Sequence, residues 1–265
     1  MHPLVNIAVD AARRAGELIV RNLDRAGGIS VSEKCRNDFV TEVDRAAEQL
    51  VIEAIHKAYP DHGILAEESG RQGGDEYVWI IDPLDGTTNF LHGFPQFAVS
   101  IACQHRDRVE AAVIFDPLRN ELFTAARGAG AQLEGRRLRV SPHRTLEGAL
   151  IGTGFPYREN TRWLKPYLAM LELVMQRAAG VRRPGSAALD LAYVAAGRLD
   201  GFWELGLAPW DTAAGKLMIT EAGGRIGTLG GDPYQDGGNI VAGSPRVYAA
   251  LVEAFAPFLD DELRK

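Results

Sequence analysis

Trp79-Ile80-Ile81-Asp82-Pro83-Leu84-Asp85-Gly86-Thr87-Thr88-Asn89-Phe90 is the stretch from which this chain is best read. The apolar run Val78 to Ile81 predicts a buried strand, and that strand delivers two carboxylates to its end, three residues apart. Pro83 fixes φ between the acids, and Gly86 permits a tight turn directly after them. Small residues then open a short helix. Carboxylates so placed hold a hard divalent cation through oxygen. The backbone N–H groups of Gly86 and Thr87, at a helix start, face the oxygens of a phosphate. By itself Asp-Pro-x-Asp-Gly is equally well explained as a turn.

Two distant segments tilt the balance. Ile64-Leu65-Ala66-Glu67-Glu68-Ser69-Gly70 follows a buried apolar pair with paired acids and a turn. Trp210-Asp211-Thr212-Ala213-Ala214-Gly215 places an Asp at a helix start. Singly, the Asp is a helix cap and the glutamates are solvated.

Working outward, residues 4–23 carry apolar or small side chains at helical spacing, and Gly27-Gly28 ends them. A second helix is predicted over 41–59, with Thr41 as N-cap, Asp44 completing a capping box, and Pro60 as the stop. Runs at 97–103, 109–115, 121–126 and 131–140 predict an antiparallel meander. Helices follow over 163–178, 187–197, 211–222 and 245–255, with strands at 202–205 and 240–242. The order suggests an α+β layered architecture.

The chain has 265 residues, 46% hydrophobic and 24% charged, an ordinary globular mix. Its formal charge of −6 argues against a protein that grips nucleic acid backbone, so no direct nucleic acid binding is expected. Arg136, Arg137 and Arg139, and then Arg182 and Arg183, read as solvated faces or interface rims, with reach toward a bound ligand open for Arg182 and Arg183. Cys35 and Cys103 have no metal-ligand spacing, and Cys103 lies in an apolar run as a small core residue. No apolar stretch reaches membrane-spanning length and no leader pattern is seen, so a cytoplasmic protein without membrane association is expected.

Asp82 to Phe90 resembles the signature of the inositol monophosphatase family. The Glu67-Glu68-Ser69 and Trp210-Asp211 runs resemble its other two motifs, in the same order. The likeness extends through Asp38 to Asp44, Gly185 to Leu191 and Glu221 to Gly224, and so spans nearly the whole chain. Gly152-Thr153-Gly154-Phe155-Pro156-Tyr157-Arg158 resembles the bacterial extragenic-suppressor branch in particular. The resemblance implies one domain over 1–265, a layered α-β-α-β-α sandwich of the kind shared with fructose-bisphosphatases. Its metal and phosphate half would be about 1–145 and its substrate half about 146–265.

It also implies two to three Mg²⁺ ions held by Glu67, Asp82, Asp85, Asp211 and the carbonyl of Leu84. Catalytic roles fall to Glu67 and to Thr87 paired with Asp44, which orient the attacking water. Substrate contacts fall to Asp85, Gly86, Thr87, Gly185, Ser186, Ala187, Glu204 and Asp211. The implied partners are a small phosphomonoester, a second copy of the chain in a homodimer, and a protein of the RNA synthesis machinery. The loop Gly70 to Asp75 is short beside the family's mobile loop, which bears on the third ion.

The expected reaction is hydrolysis of an inositol monophosphate by metal-activated water, with no nucleophilic side chain. Histidinol phosphate, fructose bisphosphate and nucleotide phosphates remain open as substrates, as does a regulatory role on the transcription machinery. His92 is expected at the rim of the site, and Trp79, Trp203 and Trp210 are expected to pack around its acids.

Overall fold

The two N-terminal helical patterns form α1 (Pro3–Leu23) and α2 (Glu42–Ala58), packed on each other, with a two-stranded antiparallel ribbon of β1 (Val31–Cys35) and β2 (Asp38–Thr41) between them in sequence. The computed structural model describes residues 2–23, 31–35, 38–74, 76–156 and 158–265. The expected stop at Gly27-Gly28 and the loop residue Asp75 lie outside the described residues.

α2 starts as its sequence requires. The Thr41 side chain accepts from the N–H groups of Val43 and Asp44, and Asp44 Oδ2 accepts from the Thr41 N–H at 2.9 Å. On α1 the buried stripe includes Val5 and Ala12, while Ile7, Leu18 and Leu23 are only partly buried. The helix is wedged between α2 and a sheet, so its covered face is broader than a single stripe.

An eight-stranded sheet follows from β3 (Gly63–Ala66), β4 (Gly70–Gln72), β5 (Tyr77–Asp85), β6 (Ala98–His105), β7 (Arg108–Asp116), β8 (Glu121–Ala126), β9 (Gly130–Leu133) and β10 (Arg136–Arg137). Its order is β10-β9-β8-β7-β6-β5-β3-β4. β5 to β10 form the expected antiparallel meander, and β3 lies parallel to β5. The single strand expected over 131–140 is instead β9 and β10, folded back through Glu134 and Gly135, both with positive φ. The short helix α3 (Thr87–Leu91) follows β5 directly.

A five-stranded sheet comes from β11 (Leu150–Thr153), β12 (Gly180–Arg182), β13 (Gly201–Leu207), β14 (Arg225–Gly227) and β15 (Gly238–Gly243), in the order β12-β11-β13-β15-β14. Its helices are α4 (Leu164–Arg177), α5 (Ala187–Ala195), α6 (Pro209–Glu221) and α7 (Pro245–Phe255).

The layers run α1 and α2, the large sheet, α5 and α6, the small sheet, then α4 and α7. The side-chain period of two divides each sheet between two apolar layers. Trp79, Ile81, Val99, Ile101 and Val113 pack toward α1 and α2, while Ile80, Ala98, Ala112 and Ile114 pack toward α5 and α6. In the small sheet, Phe202, Ile240 and Ala242 face those same central helices, whereas Trp203, Leu205 and Val241 face α4 and α7. This explains why Val78 to Ile81 reads as unbroken apolar sequence: both of its faces are covered. The fold is thus the α-β-α-β-α sandwich that the resemblance implied. Among the described residues, no helix is long and apolar enough to cross a membrane.

Candidate metal and substrate site

β5 aims its acids by parity. Asp82 follows Ile80 on the face turned toward the central helices, where the first turn of α6 approaches. Regular pairing with β6 breaks between Asp82 and Asp85, and this irregularity lets both acids serve one site. Gly86 then turns the chain with φ of 98°. A Cβ there would sit 2.9 Å from the Gln96 carbonyl oxygen, so both conformation and space require glycine.

One oxygen each from Asp82, Asp85 and Asp211 lies within 4.8 Å of the other two. Asp211 comes from the far side of the chain. The sequence placed it at a helix start; it is the third residue of α6, which begins at Pro209, and its Oδ2 accepts from the Ala208 N–H at 2.7 Å. Glu67 follows β3, with its N–H donated to the Ile81 carbonyl at 3.1 Å, and its side chain lines the same cavity.

Each acid is fixed by its own bonds. Asp82 Oδ1 accepts from the Leu84 N–H at 3.0 Å. Asp85 Oδ2 accepts from Ser186 Oγ at 2.6 Å and from the Ala188 N–H at 2.8 Å, which ties the β5 turn to the start of α5. Thr87 Oγ1 donates toward Asp44 Oδ1 at 2.8 Å and lies 3.1 Å from the Leu84 carbonyl. Asp44, fully buried, also takes the Thr41 hydroxyl, so one carboxylate both caps α2 and holds the catalytic candidate Thr87.

The electrostatics follow from crowding. Burial, and then the charges of Glu67, Asp85 and Asp211, push Asp82 well above the usual carboxylate range. Burial raises Asp85 to about 6, against the pull of the Ser186 and Ala188 bonds. Asp211 is raised well above its ordinary value by burial and by the charge of Asp85. Burial likewise raises Asp44, opposed by its bonds from Thr41 and Thr87. Desolvated, mutually repelling carboxylates are stabilised as anions by a cation among them. The donors are all hard oxygens, with no sulfur or imidazole in the set, which fits Mg²⁺.

Glu67, Asp82, Asp85, Thr87 and Asp211 line a cavity of about 570 Å³, a volume typical of small-molecule sites. Gly185, Ser186, Ala187 and Glu204 line the same cavity, with Ser186 joined directly to Asp85. Glu204 stands on β13, and a Cβ on Gly154 would overlap its carboxylate, so that glycine is what leaves room for it. His92 is exposed at the rim, as expected. Trp79 and Trp203 are fully buried, with Trp79 Nε1 donating to His62 Nδ1 at 3.0 Å. Trp210 is partly buried against the central apolar layer, as expected, and also lines the cavity. Cys103 is buried, as its apolar setting predicts.

Three residues of the site, Asn89, Glu48 and Asp190, escaped sequence reasoning, and a fourth, Arg183, stands open between two roles in the sequence. Asn89 Nδ2 lies 2.7 Å from the Gln96 carbonyl, 2.9 Å from that of Pro184 and 3.2 Å from that of Gly185, and so pins the loop before α5 to α3. Glu48 is 3% exposed and its Oε2 accepts from the Glu68 N–H at 2.8 Å, which fixes the backbone beside Glu67. Its spacing of four residues from Asp44 on α2 was the available signal. Arg183, which the sequence leaves open as an interface charge or one able to reach substrate, lines the cavity with its guanidinium 4.9 Å from the centre of the Phe155 ring. Asp190 is a lone acid inside the Ala-rich α5, 1% exposed, and also lines the cavity.

The profile described as "Inositol monophosphatase family" matches residues 1–257. The chain is 54% identical to "Nus factor SuhB" of Pseudomonas aeruginosa, over the full length of both. It resembles the crystal structure of the extragenic suppressor protein suhB from Bartonella henselae, with a TM-score of 0.92 at 45% identity over 96% of this chain and 98% of that one. It also resembles the inositol monophosphatase from Anabaena (Nostoc) sp. PCC 7120, with a TM-score of 0.85 at 40% identity over 96% of this chain and 95% of that one.

Proposed function

The chain belongs to the inositol monophosphatase family, and from that premise we propose that it is a Mg²⁺-dependent phosphomonoesterase acting on inositol monophosphates of the myo-inositol 1-phosphate type, releasing inositol and phosphate. The observation that carries this reading is the convergence of Asp82, Asp85 and Asp211 beside Glu67 in a cavity that Glu204 also lines. The half over about 1–145 supplies most of the metal and phosphate side, and the half over about 146–265 supplies the polyol side. Together they work as one domain.

Glu67, Asp82, Asp85, Asp211 and the Leu84 carbonyl would hold two to three Mg²⁺ ions. When bound, Mg²⁺ supplies positive charge against the phosphoryl oxygens and acidity to an attacking water. The backbone N–H groups of Gly86 and Thr87 meet phosphate oxygens. The Thr87 hydroxyl hydrogen is directed at Asp44 Oδ1, 2.8 Å away, which leaves the Thr87 oxygen to accept from the water and hold it in line. Glu67 would help Thr87 and Asp44 to orient that water, whose proton ends on the leaving inositol oxygen. Glu204 accepts hydrogen bonds from ring hydroxyls, with Gly185, Ser186 and Ala187 shaping that wall.

The test is phosphate release over a panel of polyol, sugar, histidinol and nucleotide monoesters during Mg²⁺ titration. Inositol monophosphate should be hydrolysed, and EDTA should abolish release. Higher kcat/KM on another ester would reassign the substrate, and EDTA-resistant release would remove the metal.

A second reading draws on the name Nus factor carried by a full-length relative: association with a protein of the transcription machinery. Such binding should survive Asp85→Asn in a pull-down, whereas an enzymatic role should not. A homodimer is supported by α4, where Leu164, Leu168 and Met175, 44%, 50% and 64% exposed, form an apolar stripe at helical spacing. A cytoplasmic setting fits all of these partners.

A further inference from the structure

We propose that Ser186 is a positioning residue for the metal site: its hydroxyl holds Asp85 as a one-oxygen ligand, which biases the site toward Mg²⁺ and against Ca²⁺. The inference rests on the reading of the converging acids as a Mg²⁺ site and adds the residue that makes one of them selective.

The three acids are not held alike. Asp82 Oδ1 accepts from the Leu84 N–H and Asp211 Oδ2 from the Ala208 N–H, bonds within their own turns. Asp85 Oδ2 instead takes two donors from α5, 101 and 103 residues further along: Ser186 Oγ at 2.6 Å and the Ala188 N–H at 2.8 Å. A carboxylate oxygen offers about two lone-pair sites, so protein donors fill both at Oδ2 and leave Oδ1 for a cation. The hydroxyl is aimed from behind. Ser186 is the N-cap of α5, and its oxygen accepts from the Leu189 N–H, so its hydrogen is directed at Asp85. Ser186 is 1% exposed, which keeps water from competing for the bond. The turn that presents it is set by Gly185, with φ of 91°, and by Asn89 Nδ2 against the Pro184 and Gly185 carbonyls.

Selectivity follows from how the two cations use a carboxylate. Mg²⁺ demands near-octahedral oxygens at short range, which one oxygen from each acid supplies. Ca²⁺ is larger and readily takes both oxygens of one carboxylate. An Asp85 whose Oδ2 is already occupied suits Mg²⁺ and withholds from Ca²⁺ a ligand it would use. Without the hydroxyl, the carboxylate pivots on the single bond from Ala188, and Oδ2 becomes available to the larger ion. If Ser186 served only to cap α5, its loss would change both affinities by the same factor.

The experiment titrates the full chain with Mg²⁺ alone and with Ca²⁺ alone, by calorimetry at one ionic strength, for the parent, Ser186→Ala, Ser186→Gly and Ser186→Thr. Ser186→Ala should raise the Mg²⁺ Kd about tenfold, the scale of losing a group that orients a metal ligand, while the Ca²⁺ Kd stays level or falls. The ratio of the two constants therefore shifts about tenfold toward Ca²⁺. Ser186→Gly also lacks the hydroxyl but remains a good N-cap, and should reproduce the shift. Ser186→Thr keeps the hydroxyl and should keep the parent ratio. Equal changes for the two ions, no change for either, or a folded Thr variant that behaves like Ala would overturn the proposal. Should the Ala variant lose its cooperative melting transition, the Gly variant decides by the same ratio. A parent chain that binds neither ion sinks the metal site itself, and the role of Ser186 with it, which sets that result apart from an unshifted ratio in variants of a parent that binds both.

Discussion

Two walls meet at the cavity, one from β5 and one from β11, α5 and β13, and they touch where Ser186 and Ala188 hold Asp85. On the wall from β5, backed by α2, Asp82 is held by the Leu84 N–H, Thr87 by Asp44, and the Glu67-Glu68 backbone by Ile81 and Glu48. On the wall from β11, α5 and β13, Asp190 keeps a buried oxygen without a donor, and the Glu204 carboxylate fits only because Gly154 has no side chain. The contrast separates two tasks. Chemistry at a charged phosphate needs groups held still before the substrate arrives, so that no reorganisation is left for the reaction itself. Recognition of a hydroxylated ring needs room beside an acceptor, which the missing side chain of Gly154 supplies at Glu204.

The sharpest way to break this comparison is Asp85→Asn. Removing one charge from the preorganised wall should lower kcat/KM by about a thousandfold or more, the scale of losing a central electrostatic contact. Mg²⁺ affinity should fall with it, as calorimetry would read, and the melting transition should remain cooperative. Parent-level turnover would mean that the crowded acids are not the catalytic wall.

A smaller effect tests whether the stillness of that wall matters. Glu48 does not line the cavity and holds the Glu68 N–H, one residue beyond Glu67. Glu48→Ala should reduce kcat about tenfold and weaken Mg²⁺ binding, because the loop beside Glu67 loses its anchor. Glu48→Gln keeps an acceptor oxygen and should restore most of the loss. Identical behaviour of the two variants would make Glu48 a packing residue only.

The smallest expected change lies on the other wall. In Gly154→Ala the new methyl group must displace the Glu204 carboxylate. KM for the inositol ester should rise about threefold with kcat and Mg²⁺ affinity near parent values, the pattern of lost uniform binding. A fall in kcat instead would show that the two walls are not separable.

Much of the fold was legible in the chain. The helical spacing of 4–23 and 41–59, the Thr41 cap and the meander from 97 onward all came from local patterns that do not need a partner to be recognised. Less was legible where elements are short and covered by neighbours. β3, β11, β12 and β14 have three or four residues each and carry too few positions for a period to emerge. The turn through Glu134 and Gly135, which splits 131–140 into β9 and β10, was hidden because the flanking residues alternate as one strand would. In the site, Asp82, Asp85, Glu67 and Asp211 stood out because each ends or begins an element beside small residues. Asn89, Glu48, Arg183 and Asp190 did not, because each acts through a contact with a segment remote in sequence.

The sequence by itself determined which residues could hold a cation and where the helices and strands that carry them begin, since caps, turns and alternation are properties of neighbouring residues. Only the tertiary structure decided that residues 67, 82, 85 and 211 share one cavity and that residues 154, 183 and 204 line it with them. Distance and burial arise from packing the central helices between two sheets, and no local pattern encodes either.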